Sequence, residues 1–411
     1  MRHVSALLPI ALAFAVAPAA AQQVLVVAPT PGPGVFSTSI AVAVNAAQSG
    51  DVVLVKAGSY AESVSIVSKS LVLTADAGVT AIVSGKISIS GIAADQRVIV
   101  RGFDVSAGAS TTALVLGPSP GAIWVEDSKF TGGFLPQANP ISGKGCTIDG
   151  NANVVLTRCN FVGGQTTTPQ PAPPAAGGIG LFARESNIHF ADTKCTGGTG
   201  EVGLNSFSGA KGGAAAQIQG GFFFATGCTF QGGNGGNVIG PNSGGAGGPG
   251  LVLASDGTSF ATFVAGGVGG TGGLTPGPNG PSVAGGTLNA IPGAARHFSV
   301  GTPAREGQTS AFKLVGIPNE FATVIFANAP SSILPLAPFG GSLLIDAATS
   351  VQLFFTGLGA PGSVTVPILM PQLPAGVLGV PVFPQALFFD LPTTYAVIGP
   401  ASSLLILDAS L

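Results

Sequence analysis

Apolar residues in this chain fall in short runs separated by Gly, Pro, Asn and Asp, too short and too close together for helices. Early runs are Val52 to Val55, Val64 to Val67, Leu71 to Leu73, Val79 to Val83, Ile87 to Ile89 and Val98 to Val100. Such runs, spaced roughly eight to twelve residues apart, predict an all-β fold. The exception is Phe36 to Gln48, where Ile40, Val44 and Ala47 stand at helical spacing before a stop at Ser49-Gly50.

Further on, one phrase returns with a regular period. Phe130, Phe161, Cys195, Phe230 and Phe263 each precede a Gly-Gly pair and lie 31, 34, 35 and 33 residues apart. That period belongs to stacked repeats, in which each unit is stable only against its neighbours. Aligned on this anchor, Ile123 and Val125, Val154 and Leu156, Ile188 and Phe190, and Phe223 and Ala225 share two positions. A strand alternates its faces, so these residues should point inward and stack in apolar columns, although the fifth coil fits poorly. Upstream strands at Ala113 to Leu116, Cys146 to Ile148, Gly180 to Phe182, Ala216 to Ile218 and Leu251 to Leu253 complete each turn. Connections rich in Gly, Pro, Thr and Ala (165–178, 232–250 and 266–286) all leave one edge of the coil. Insertions on one face often form the binding face of a repeat protein; the alternative is solvated loops without a partner.

Composition sharpens the picture. Of 411 residues 46% are hydrophobic and only 8% charged, against roughly 25% charged in an ordinary soluble domain. A basic start at Arg2 and His3, an apolar stretch from Ala6 to Ala17 and the small residues Ala19-Ala20-Ala21 predict a signal peptide over 1–21, cleaved near Ala21. Removing it leaves a slightly acidic chain, with no electrostatic footprint for nucleic acid or an anionic membrane. No later run is long enough to span a bilayer, and Val377 to Ile398 is broken by Pro381, Pro384 and Pro392. The expectation is a secreted protein without a membrane span. Export permits disulfides, and of the four cysteines only Cys146 and Cys159 share a coil. The competing reading, buried small hydrophobes, is favoured by Cys195 standing in a Phe slot. No cysteine pair has zinc-site spacing, and no metal is assigned.

The stretch Ile40-x3-Val44-x2-Ala47-x2-Gly50-Asp51-x-Val53-x-Val55-x2-Gly58-x-Tyr60-x-Glu62-x-Val64-x-Ile66 resembles the opening of right-handed parallel β-helix proteins of the pectin lyase-like superfamily. The resemblance covers residues 36–105 and implies a short helix capping the first coil and a Gly-x-Tyr turn leading into a strand. It implies no particular activity. From Phe298 the pattern changes, with short strands expected at Ala311–Val315, Thr323–Phe326, Ser342–Ile345, Val351–Phe355, Ser363–Ile368, Ala386–Phe389 and Leu404–Leu407. This stretch suits an antiparallel sandwich and resembles the small C-terminal module of many secreted bacterial proteins, through Leu314-Val315-Gly316 and Val382-Phe383-Pro384-Gln385-Ala386. Such a module would cover the open end of the helix. The domain plan is therefore a signal peptide (1–21), an all-β right-handed parallel β-helix (22–297) and a β-sandwich (298–411).

Two columns carry candidate chemistry. Trp124, Val155, His189 and Phe224 fall on the outward face, where Trp124, His189 and Phe224 could stack on sugar rings; alternatively the long loops fold over them as a second core. Asp127, Arg158 and Asp192 fall at one turn position, so an Arg is expected between carboxylates of adjacent coils. That ladder is either a surface ion network or a lyase-like catalytic set, since β-helix lyases pair acidic calcium ligands with a basic Arg. No further Asp or second Arg joins the column, the paired-Asp motifs of polygalacturonases are absent, and neither His189 nor His297 follows a nucleophile elbow. The Gly-rich runs lack the Lys-Ser/Thr of a phosphate loop and the Asp of calcium-binding repeats. The reading is a surface scaffold that contacts polysaccharide or the cell envelope without catalysis and without a cofactor. Its rivals are a polysaccharide lyase using Asp127, Arg158 and Asp192, with calcium if so, and a structural stalk or envelope component.

Overall fold

Each apolar run in the first two thirds of the chain pairs in parallel with its counterpart one coil on. A computed structural model describes residues 22–108, 111–133, 142–165, 173–204, 207–335, 340–390 and 395–411; the expected signal peptide, 1–21, lies outside the described residues. The coils build three parallel sheets, one of ten strands and two of eight, with strands in sequence order along each sheet. This is a β-solenoid. The first sheet runs from Val24–Val27 through Val52–Val55, Ser119–Glu126 and Ile188–Ala191 to Leu288–Ile291.

The inward columns stand as expected. Ile123 pairs with Val154 and Val125 with Leu156, and the ladder continues to Ile188, Phe190, Phe223 and Ala225. All belong to one continuous core inside the coil. Phe161, Cys195 and Phe230 are register partners, so Cys195 does fill a Phe slot. All four cysteines are free and buried. Burial pushes their thiols up, Cys228 to about 12, which leaves them inert as nucleophiles.

The cap helix is shorter than the Phe36 to Gln48 pattern, spanning Ile40–Ala46. Ser39 caps it, and the Glu62 carboxylate accepts from Ile40 N (2.7 Å), Ala41 N (2.9 Å) and Ser39 Oγ (2.6 Å). At the other end Lys69 Nζ donates to the carbonyls of Val44 and Ala47. Both ends thus have counter-charges where the orphan backbone groups lie. Gly58–Tyr60, expected as a turn, is itself a strand pairing with Ala81–Val83.

Past Arg296 the pairing becomes antiparallel, apart from the short parallel pair of Ala304–Arg305 with Leu404–Leu407. All seven expected C-terminal strands form, joined by His297–Val300, Ala304–Arg305, Pro330–Pro335 and Tyr395–Ala401. They build a three-stranded sheet, a six-stranded sheet and a two-stranded ribbon, with the 12-residue strand Gly379–Asp390 shared among its neighbours. Their placement differs from expectation. Instead of covering the open end of the solenoid, they lie along the outward face of its first sheet. Val52, Leu54, Val72, Ile99, Trp124 and Val155 pack there against Phe383, Leu405 and Leu407, while Phe224 and Phe260 join the core around Phe298, Phe312 and Leu314.

Candidate functional site

Every middle coil turns from the first sheet into the next through one left-handed residue: Gly102, Asp127, Arg158, Asp192, Gly227 and Ala261. Glycine takes this conformation freely, whereas for other residues it costs on the order of 1 kcal/mol. Three successive coils nonetheless place a charged side chain there, and what those side chains touch explains the choice.

Arg158 holds Asp127 with Nε to Oδ1 at 2.6 Å and Nη2 to Oδ2 at 3.2 Å, and reaches Glu126 Oε2 at 3.2 Å. Arg101, from the preceding coil, meets Asp127 Oδ2 at 2.6 Å and Glu126 Oε2 at 3.2 Å. The remaining donors point at the C-terminal sheets. Arg158 donates to Phe298 O and Ser402 Oγ, and Arg101 to Val300 O and Ser403 O. Glu126, wholly buried, accepts in turn from Ser402 Oγ (3.0 Å) and Ser403 N (2.7 Å). Two guanidiniums and two carboxylates therefore clamp the C-terminal strands to the solenoid.

Charge follows the geometry. Burial pushes the Asp127 carboxyl up, but Arg101 and Arg158 outweigh it and hold the group below the usual carboxylate range. For Glu126, burial wins and the pKa is raised despite both guanidiniums. Burial alone would weaken the Arg158 cation, yet Asp127 and Glu126 raise its pKa above the ordinary arginine value. A lyase base must release that proton, and this environment holds it.

The ladder differs from expectation at its third rung. Asp192 makes no hydrogen bond to Arg158; its Oδ1 lies 2.7 Å from His297 Nδ1. A side chain at Gly227 would meet Asp192 Oδ1 and push it from its place, so glycine at the next turn leaves that carboxylate free to sit beside His297. The Asp192 hydrogen bond, against some desolvation, raises the His297 pKa. A raised pKa stabilises the folded state fully below the unfolded value, about 6.5, and that contribution is lost as pH rises through the folded value. Since the imidazole is half exposed, screening keeps the effect below about 1 kcal/mol. Unfolding midpoints should therefore fall from about pH 6 to about pH 9 by more in the native chain than in His297→Gln.

The aromatic column is also covered, by the C-terminal sheets and not by the long loops. Trp124 meets Phe383 edge-on at 5.0 Å, and His189 stacks on Phe224 at 5.3 Å. Trp124, Val155, His189 and Phe224 are all at least 97% buried. Burial lowers the His189 pKa to about 3, so it is neutral. With the sheets docked, no sugar ring can reach these faces; the column is a docking surface.

The described residues of the long connections are packed as well; 166–172 of the first lie outside the described residues. Ten glycines, Gly133, Gly143, Gly164, Gly178, Gly198, Gly213, Gly233, Gly248, Gly267 and Gly280, form one chain of hydrogen bonds, each N–H donating to the carbonyl of the one before at 2.7 or 2.8 Å. The chain zigzags between segments leaving the solenoid and segments returning to it. A second row lies three residues further out, through Ala175, Glu201, Ala210, Gly236, Gly245, Gly270 and Gly277. Within each layer, coil bonds to coil: Gly197 N to Gln231 O, Gly232 N to Ala265 O, Gly235 N to Val268 O and Gly247 N to Pro278 O. A three-residue repeat whose one strand ladder is the two-residue pair Gly203–Leu204 with Val238–Ile239 is consistent with packed polyproline-II-type chains. None of the ten glycines is left-handed, so glycine is needed for room. A Cβ on Gly198, Gly213, Gly233 or Gly248 would overlap a backbone carbonyl of the neighbouring segment.

This lattice is closed at its last coil. The donor positions Gly244 and Gly247 become Pro276, which has no N–H, and Asn279, whose Oδ1 caps Gly269 N at 2.9 Å. Between Gly212 and Ala295 the only charged residue is Asp256. Asn234 and Asn237, exposed and three residues apart, accept from Val268 N (3.0 Å) and Thr271 N (2.9 Å). Their amide nitrogens are thereby turned to solvent in fixed positions.

Sequence reasoning missed Arg101, His297, Ser402 and Ser403 as partners of the ladder. The signal for Arg101 was a charge closing the apolar strand Arg97–Arg101, in register with Glu126. Among the described residues no group of three or more His, Cys, Asp or Glu side chains is gathered as a metal site, and no helix is long and apolar enough to cross a membrane.

No protein-family model matches the chain, and no curated protein does. Among solved structures, a chain described as ORF18 of Geobacillus virus E2 is similar at 10% identity, over 82% of this chain and 75% of that one. Its TM-score of 0.24 is too low to carry an argument about fold or role.

Proposed function

We propose that this chain is an exported, non-catalytic scaffold of the cell surface or extracellular space, which contacts neutral polysaccharide or a similarly uncharged surface through its glycine lattice. The observation that carries this reading is the lattice itself: a two-layer, nearly uncharged body with amide donors held in a row. Donors fixed before binding lose little entropy when a partner arrives. The ladder of Asp127, Arg158 and Asp192 supports the same reading, because its hydrogen bonds are spent on one another and on the C-terminal strands.

Co-sedimentation of the exported chain with insoluble neutral polysaccharides, beside an assay for unsaturated products on acidic ones, tests it. Binding to a neutral polymer is expected, weakened about tenfold or more by Asn234→Lys with Asn237→Lys, a loss of at least about 1.4 kcal/mol. Equal binding by the double variant would overturn the lattice as the contact face. Unsaturated products that vanish in Arg158→Ala would instead establish the lyase.

A further inference from the structure

Where the left-handed turn column meets the first antiparallel strands, a cleft of about 330 Å³ opens, lined by Arg158, Asp192, His297, Ser299, Lys313 and Val315. Ser299 and Lys313 are cross-strand partners, as are His297 and Val315 one step of the same face along, so all four project from one side of the pair His297–Val300 and Thr309–Val315. The opposite side carries Phe298 and Leu314 into the core.

The charges in this cleft are unevenly used. Asp192 is engaged by His297 Nδ1, and the Arg158 fork is taken by Asp127, Glu126, Phe298 O and Ser402. Lys313 forms no ion pair among the described residues and is exposed. The second ring nitrogen of His297 faces solvent, its side chain 46% exposed. What remains is an ammonium, a hydroxyl and, when the His297 ring is an imidazolium with Nδ1–H on Asp192, a second ring N–H; the one carboxylate lining the cleft, Asp192, is held to that ring through Oδ1.

We propose that this cleft binds a phosphoryl group carried on a small molecule or on a polymer, with Lys313 Nζ, Ser299 Oγ and, as imidazolium, His297 Nε2 as donors and Val315 as the apolar wall. The donor set favours phosphate over carboxylate. A planar carboxylate is best read by a guanidinium fork, and the fork here is occupied, whereas an ammonium serves phosphate as a point charge from any direction. The volume lies at the lower end of small-molecule sites, enough for a phosphomonoester.

The test is an NMR titration of the full exported chain, following the His297 ring resonances as inorganic phosphate, glycerol phosphate or acetate is added at constant ionic strength. Saturable shifts with both phosphates, tighter than with acetate, are expected. Lys313→Ala should weaken them about tenfold or more, with Lys313→Arg retaining most of the affinity and thermal midpoints unchanged in both. Saturation by glycerol phosphate but not by inorganic phosphate would assign the site to esters. No saturable shift with either, or equal affinity in Lys313→Ala, would overturn the proposal.

Discussion

Gly233→Ala should destabilise the chain by about 3 kcal/mol or more, a large effect for one methyl group on a residue outside every strand. A Cβ at this position overlaps the carbonyl of Gly198, and the backbone on that side is itself bonded onward to Gly213 and Gly178. Relief requires the coils to separate, which breaks a row of hydrogen bonds worth about 1 kcal/mol each. The position resembles the axial glycine of a collagen triple helix, where only hydrogen fits. Asn234→Ala, one residue on, points outward and loses a single bond to Val268 N, so its cost should stay near 1 kcal/mol. Urea midpoints of the two variants decide the matter. Equal, small shifts would mean that the connections are loosely solvated.

The second large effect belongs to the clamp. Arg158→Ala removes the bidentate partner of Asp127, a partner of wholly buried Glu126 and two bonds to the C-terminal strands. Breaking a buried ion pair on one side costs about 3–5 kcal/mol, because the remaining charge is left without compensation. Arg101 still neutralises part of it, which places the expected loss near the lower figure, about 3 kcal/mol. Arg158→Gly loses the same contacts but relieves a left-handed backbone at φ 52°, so it should be about 1 kcal/mol more stable than Arg158→Ala. Thermal or urea unfolding of both variants separates the clamp from the turn. A loss below about 1 kcal/mol in Arg158→Ala would show a solvated surface pair instead.

The solenoid was legible because inward positions repeat: Ile123, Val154 and Ile188 fix one column, and Phe130, Phe161 and Phe230 another. What covers the outside was only half visible. Strands of the first sheet such as Val52–Val55 and Phe223–Thr226 are buried at every residue, while Val64–Val67 in another sheet alternates buried and exposed. Continuous apolar runs against alternating ones distinguish a sheet packed on both faces from one with a wet face. Val52-Val53-Leu54-Val55 carried that signal, but not the identity of the cover, which comes from Phe383 and Leu405, more than 320 residues away in sequence.

The candidate site was legible to the same degree. Register alone brought Asp127 and Arg158 together, since both are turn residues of adjacent coils. Asp192 went elsewhere because His297, on a strand outside the repeat, supplies a nearer donor. In the glycine-rich connections the sequence showed the three-residue phrase Gly-Gly-Asn-Gly-Gly-Asn at 232–237, but composition of that kind also describes mobile linkers. Only the pairing of leaving and returning segments tells them apart.

Native-state hydrogen exchange of the connection amides tests the central claim most directly. If the lattice is a packed body, the amides of Gly198, Gly213, Gly233 and Gly248 should exchange as slowly as those of the core strands Asn151–Thr157 and Ile188–Ala191, opening only with global unfolding. Exchange at the rate of an unstructured peptide would contradict it, and with it the surface on which the proposed function rests.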